Sequence, residues 1–142
     1  MWLVDGNVLL YAVNRGAAHH EASRAWLDAS LLGPVPVGLA WSSLLTFLRV
    51  STHRAAFPVP FTVAESCHQL RVWLSAPAAL IVEPTARHSD VLIGLLEESG
   101  TAGNLVPDAH LAALATEHAA TVVTFDTDFL RFRGVRSQRP DA

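Results

Sequence analysis

Four aspartates are the residues of this chain best placed to do chemistry. Asp5 closes the apolar run Trp2-Leu3-Val4 and opens Asp5-Gly6-Asn7-Val8-Leu9-Leu10-Tyr11-Ala12. Asp108 stands in Val106-Pro107-Asp108-Ala109-His110, and Asp126 and Asp128 stand in Val122-Val123-Thr124-Phe125-Asp126-Thr127-Asp128-Phe129. Carboxylates that share a site cannot all stay ionised alone: either a pKa rises or a cation is bound. Hard divalent cations take carboxylate oxygens, and Mg²⁺ favours one or two of them plus waters and a substrate phosphate. A cation held this way activates water and neutralises charge building on a phosphodiester, so cleavage of nucleic acid is the chemistry expected. No Cys/His spacing of a zinc site is present.

These acids serve one site only if the fold gathers them. Residues 2–5 read as a short buried strand, and residues 8–13 as a helix start because their apolar residues run on without alternation. Residues 19–31 and 41–50 read as helices, with a short strand between them near residues 35–39. Thr62 and Glu65 form a capping-box pattern at the head of a helix running to Leu74. A strand at residues 79–82 precedes a helix ending at Gly100. Residues 101–105 form a loop, residues 108–118 a helix, residues 121–125 a β-branched strand, and residues 134–136 a last edge strand. This alternation predicts an α/β sandwich with a mostly parallel sheet. In such sheets ligands bind beyond the carboxyl ends of the strands. Asp5 and Asp126 sit at two such ends, and the helix opening with Asp108 leads into the strand that ends at Asp126.

Each acid also has a plain structural reading. Asp5-Gly6-Asn7 suits a hairpin turn, Asp108 after a proline suits a helix N-cap, and Asp126 with Asp128 suits a capped turn. Those readings give no reason for the acids to share one rim.

A length of 142 residues suits one domain, expected over residues 1–136 with a disordered tail at residues 137–142. The chain is 51% hydrophobic and only 16% charged, more apolar than a typical soluble domain, which predicts a partner or a dimer interface. No apolar run reaches the roughly 18 residues of a membrane span, and the start lacks a basic leader segment, so a cytoplasmic location is expected. The single cysteine, Cys67, reads as a small core residue. Net charge is −3, and all ten basic residues are arginine. Bulk charge therefore does not favour nucleic acid, and a metal or a local arginine patch must offset the acids.

Four segments together resemble the PIN domain and, within it, the VapC-type ribonuclease toxins of bacterial toxin–antitoxin pairs. They are Leu3-Val4-Asp5-Gly6-Asn7-Val8-Leu9-Leu10, Phe47-Leu48-Arg49-Val50-Ser51-Thr52, Gly103-Asn104-Leu105-Val106-Pro107-Asp108-Ala109-His110-Leu111-Ala112-Ala113 and Thr124-Phe125-Asp126-Thr127-Asp128-Phe129. The resemblance covers nearly the whole chain. It implies a three-layer α/β/α sandwich, Mg²⁺- or Mn²⁺-dependent endoribonuclease activity on RNA, a homodimer, and inhibition by a cognate antitoxin. It also implies that Asp5, Asp108 and Asp126 bind metal, that Asp128 is a further acid of the site, and that Asn7 orients a water or a carboxylate. Many members carry a glutamate three residues before an arginine on the second conserved helix. Here Arg49 is present and the matching position is Thr46, which brings no charge and favours a single ion with Asp128 making up the deficit.

Other residues are read as follows. Arg49 suits a phosphate contact or a structural ion pair. Arg131, Arg133 and Arg136 form a basic cluster that would guide RNA phosphates. His19 and His20 read as surface residues, His110 as a helix-face residue, and Trp2, Trp26, Trp41 and Trp73 as core or interface aromatics. The alternative function is a PIN-like module that binds RNA or antitoxin with little or no cleavage, which Thr46 favours. An aspartyl-phosphate phosphatase using Asp5 would need a second acid two residues on, where this chain has Asn7.

Overall fold

The computed structural model describes residues 1–141. The sheet has five strands, β1 (Trp2–Val4), β2 (Val37–Ala40), β3 (Ala79–Val82), β4 (Thr121–Val123) and β5 (Ser137–Gln138), in the order β3-β2-β1-β4-β5. Every pairing is parallel; β1 lies between β2 and β4, with Leu3 opposite Gly38 and Val122. Six α-helices connect them among the described residues: α1 (Gly6–Val13), α2 (His20–Leu31), α3 (Trp41–Ser51), α4 (Val63–Leu74), α5 (His88–Ser99) and α6 (Val106–Glu117).

Strand side chains alternate between faces, and that alternation divides the core in two. Val4, Val37, Leu39 and Val123 face α1 to α4, packing on Leu9, Leu27, Phe47 and Trp73. Leu3, Ala40, Val82 and Val122 face the other way, onto α6 and the phenylalanines of the last loop, Phe129 and Phe132. The result is the expected three-layer α/β/α sandwich. Helix α6 is sandwiched between the sheet and α5, which is why Ala109, Leu111, Ala112, Ala113, Leu114 and Ala115 are all buried: small residues on several sides allow close approach in both directions. Gly38 is needed in β2 because a Cβ there would stand 2.6 Å from the Val82 side chain and 2.9 Å from the Trp2 carbonyl.

The capping box at α4 forms as expected, with Thr62 and Glu65 exchanging bonds of 3.1 Å. Gly100 ends α5 in the left-handed conformation at φ 71°. Two expectations shift. The last strand is Ser137–Gln138 and not residues 134–136, because Gly134 has φ 80° and turns the chain before pairing begins. Part of the expected tail therefore pairs with β4, through bonds such as Thr124 N to the Gln138 carbonyl at 2.9 Å. Ala142, the end of that tail, lies outside the described residues. His20 is buried, its ring bonded to the Tyr11 carbonyl at 2.8 Å; it holds the α1–α2 turn and is not a surface residue. Trp73 and the Trp2–Trp26 pair are core aromatics, whereas Trp41 is exposed on α3. No helix among the described residues is long and apolar enough to cross a membrane.

Candidate active site

The carboxyl ends of β1 and β4 lie side by side, because these strands pair in register through Val4 and Val123. Asp5 leaves β1 with its amide donating to the Val123 carbonyl at 3.0 Å, and its carbonyl accepts from Val8 in the first turn of α1. It therefore leads into a helix and not a hairpin. Its side chain does not cap that helix but turns across to β4.

There it meets Thr124, a residue that the sequence motifs include without revealing a role for it. The buried Thr124 hydroxyl donates to Asp5 Oδ2 at 2.7 Å, and accepts from Asn7 Nδ2 at 3.1 Å and from the Asp126 amide at 2.9 Å. One donor and two acceptor positions are all a hydroxyl has, and all three are used to tie Asp5, Asn7 and Asp126 together. Asn7 also donates to Asp5 Oδ2 at 3.0 Å and accepts from the Phe125 amide at 3.3 Å, so what it orients is a carboxylate. The available signal is a hydroxyl ending the β-branched run Thr121-Val122-Val123-Thr124, two residues before an acid.

Asp126 caps the short turn after β4, accepting from the Asp128 amide at 2.8 Å. Here the plain reading and the chemical one hold together, since the cap also places Asp128 beside Asp126. Asp108 is the third residue of α6, whose N-cap is Leu105; it is not a cap. Carboxylate oxygens of Asp108, Asp126 and Asp128 lie within 4.8 Å of one another. Asp5 stands outside that trio and acts on it through charge and through Thr124.

The electrostatics follow. Burial pushes the Asp108 pKa up to about 7, and the charges of Asp126, Asp5 and Asp128 and a hydrogen bond with Asp126 push the same way. Asp5 is also raised, chiefly by burial and slightly by Asp126, with the Thr124 hydroxyl and the Gly6 amide opposing. Three oxygen donors with no histidine or cysteine among them, held together against their own repulsion, suit a hard divalent cation.

The remaining site candidates are arranged differently. The Thr46 hydroxyl donates to the Ser42 carbonyl of its own helix at 2.9 Å, and its methyl carbon would lie 3.2 Å from a Cβ added at Gly6. Thr46 thus packs α3 against the first turn of α1, next to Asp5. Arg49 is exposed and makes no ion pair among the described residues. Arg131 faces Asp128 at 3.6 Å on the exposed flank of the trio. The expected basic cluster is dispersed, since Arg133 faces Glu98 at 3.9 Å and Arg136 donates to the Ala119 carbonyl at 3.0 Å. His110 points away from the acids: it contacts His88 at 2.9 Å, and His88 in turn contacts Glu117.

Residues 2–135 match the PIN domain family. Ribonuclease VapC37 of Mycobacterium tuberculosis is 51% identical over 142 residues, covering 100% of this chain and 99% of that protein. Ribonuclease VapC33 of the same species is 36% identical over 140 residues, covering 99% and 98%. Among solved structures, VapBC2 from Rickettsia felis bound to a promoter DNA fragment superimposes with a TM-score of 0.72 at 21% identity over 97% of each chain. Mycobacterium tuberculosis VapC20, a sarcin–ricin loop cleaving toxin, gives 0.69 at 18% identity over 96% of this chain and 99% of that one. With the family matched from residue 2 to residue 135 and half of all positions identical to a full-length relative, this chain belongs to the PIN-domain family, in its VapC-type branch.

Proposed function

We propose that this protein is a Mg²⁺- or Mn²⁺-dependent endoribonuclease, the toxin of a toxin–antitoxin pair. The observation that carries the reading is the carboxylate trio of Asp108, Asp126 and Asp128 at the carboxyl rim of a parallel sheet, with Asp5 behind it. The relatives named ribonucleases support RNA as the substrate. The trio would hold the cation; when bound, it supplies a water of lowered pKa and positive charge against the phosphodiester. The chain's own residues do the rest. Asn7 and Thr124 fix Asp5, and Thr124 also fixes the start of the Asp126 turn. The Asp126 carboxylate sets the approach of Asp128. Arg131, beside Asp128, is suited to meet a phosphate entering from solvent.

A cognate antitoxin and a second copy of the chain are the expected partners, and the cytoplasm the expected location. The solved VapBC complexes support an antitoxin. So does an open groove between α2 and α4, where Phe57, Phe61 and Trp73 meet Arg15, Arg24 and Glu65. Exposed Trp41 and Leu45, one turn apart on α3, support an apolar contact with a further chain.

The test is cleavage of a structured RNA with Mg²⁺, with Mn²⁺ and with chelator, by the native chain and by Asp126→Asn. Cleavage that needs a divalent cation and the Asp126 carboxylate is expected. Equal cleavage by both proteins, or cleavage in chelator, would sink the reading. The Thr46 hydroxyl, bonded within its own helix, is the one observation that favours a binding module. RNA binding without cleavage under any of these conditions would select that second reading.

A further inference from the structure

Beside the acids, on the β4–β5 side of the rim, four chain segments bring flat groups together. Tyr11 comes from α1, His19 from the residue before α2, Phe125 from the turn after β4 and Arg139 from the residue after β5. The His19 and Phe125 rings stack, with centroids 4.1 Å apart and planes 13° apart. Tyr11 stands edge-on to both, at 5.4 Å and 5.5 Å. The Arg139 guanidinium lies over Phe125 at 4.8 Å, held by both oxygens of Asp141 at 2.8 and 2.9 Å.

Core packing accounts for Phe125, which rests against the core on the α1–α4 face, but not for the rest of the group. Tyr11, His19 and Phe125 are only partly buried, and Arg139 is exposed. Neither the Tyr11 hydroxyl nor the His19 ring nitrogens make a hydrogen bond to protein among the described residues, so no internal bond accounts for their polar tips. Asp141 occupies the edge of the guanidinium and fixes its plane, which leaves the face turned away from Phe125 for stacking. Phe125 directly precedes Asp126, and its amide is bonded to Asn7. The group is therefore anchored to the same framework that holds the acids.

The electrostatics give such a group a purpose. A chain of net charge −3 with its acids on the substrate rim lacks the cationic surface that usually supplies affinity for nucleic acid. Stacking of unpaired bases on aromatic rings and guanidinium planes works without net charge. We propose that Tyr11, His19, Phe125 and Arg139 form a platform on which one unpaired base of the RNA, flanking the cleaved bond, stacks. This deepens the ribonuclease reading and rests on it for the identity of the ligand.

The experiment uses single-stranded oligoribonucleotides, each carrying 2-aminopurine at one position, with the native chain, His19→Ala, His19→Tyr and Arg139→Ala. Fluorescence quenching on binding and the KM and kcat for cleavage are measured, with thermal melts to verify folding. Quenching at one position is expected with the native chain. It should be lost in His19→Ala, with KM raised about tenfold and a smaller change in kcat, restored in His19→Tyr and weakened in Arg139→Ala. Quenching and KM unchanged in both alanine variants would overturn the platform. So would a native chain that cleaves these oligonucleotides yet quenches none. A native chain that quenches through His19 but cleaves nothing keeps the platform and removes the ribonuclease reading.

Discussion

The two ends of α6 carry one acid each, and the two acids behave in opposite ways. Asp108 lies in the first turn, where the helix dipole favours a negative charge; Glu117 lies in the last, where it disfavours one. Yet the Asp108 pKa is raised to about 7, while that of Glu117 is lowered. Burial opposes ionisation at both. At Asp108 three further aspartates add to that effect. At Glu117 it is outweighed by bonds from the Thr85 hydroxyl at 2.6 Å and the Thr85 amide at 2.9 Å, and by His88. Local partners decide the matter, and they separate a satisfied structural acid from a frustrated one. The frustrated end is the one where the proposed cation would relieve the repulsion.

The sharpest way to break this contrast is to remove an acid from the frustrated end. Asp126→Asn should lower RNA cleavage in Mg²⁺ by about a hundredfold or more. In chelator the same change should raise the melting temperature, since it removes like-charge repulsion. A functional acid and a structural acid differ in this pairing of lost activity with gained stability. If Asp126→Asn melts lower than the native chain without metal, its cap of the Asp128 amide outweighs the repulsion and the contrast fails.

Next in size is the effect of the cation itself. Saturating Mg²⁺ at about a hundred times its dissociation constant should stabilise the native chain by roughly 2.7 kcal/mol. Asp108→Asn should shrink that shift, whereas Glu117→Gln should leave it intact. Thermal melts across a Mg²⁺ titration measure all three. An equal shift in Asp108→Asn would remove Asp108 from the ion's ligands.

At the satisfied end the expected effect is on stability alone. Glu117→Gln keeps the shape but weakens the charge-assisted bonds to Thr85 and His88, at about 1–2 kcal/mol. Denaturant unfolding reads the loss, and kcat on RNA should be unchanged. His88→Ala should lower stability by a similar amount, because it leaves Glu117 and His110 without their shared partner.

Much of this was legible in the sequence, for reasons that differ by region. The strand and helix order followed from periodicity, and the capping box at Thr62 from local chemistry that involves only four residues. Asp5, Asp108 and Asp126 stood out because each lies at an element junction. What stayed hidden depended on contacts between distant residues. Thr124 is an ordinary strand threonine until β4 pairs with β1 and brings its hydroxyl to Asp5, 119 positions away. The Glu117–His88–His110 chain needs α5 to lie against α6. His20 reads as polar and exposed until the Tyr11 carbonyl is seen to accept its ring. The sequence offers Asp128 as a metal acid alongside Asp5, Asp108 and Asp126, but only the packing of α6 against the turn after β4 groups Asp108, Asp126 and Asp128 most closely.

The most discriminating effect is on the pH dependence of stability, where the two ends of α6 should slope in opposite directions. Asp108 has a folded pKa of about 7, above its ordinary 3.8. Between those values the folded state binds more protons than the unfolded one, so its stability falls as pH rises. Glu117 lies below its ordinary 4.5, and its contribution is present above that pH and lost as pH falls through the lower folded value. His110 is lowered from 6.5, chiefly by burial and then by His88, so its contribution is likewise lost as pH falls below 6.5. In chelator, the stability gained by Asp108→Asn should therefore grow between pH 5 and about 7 and then level off. The stability lost in Glu117→Gln should be constant through that window and shrink only below pH 4.5. Urea unfolding at closely spaced pH values separates the two profiles. A gain from Asp108→Asn that stays flat across the window would mean that its neighbours do not hold its proton, and the frustrated end of the helix would lose its distinction.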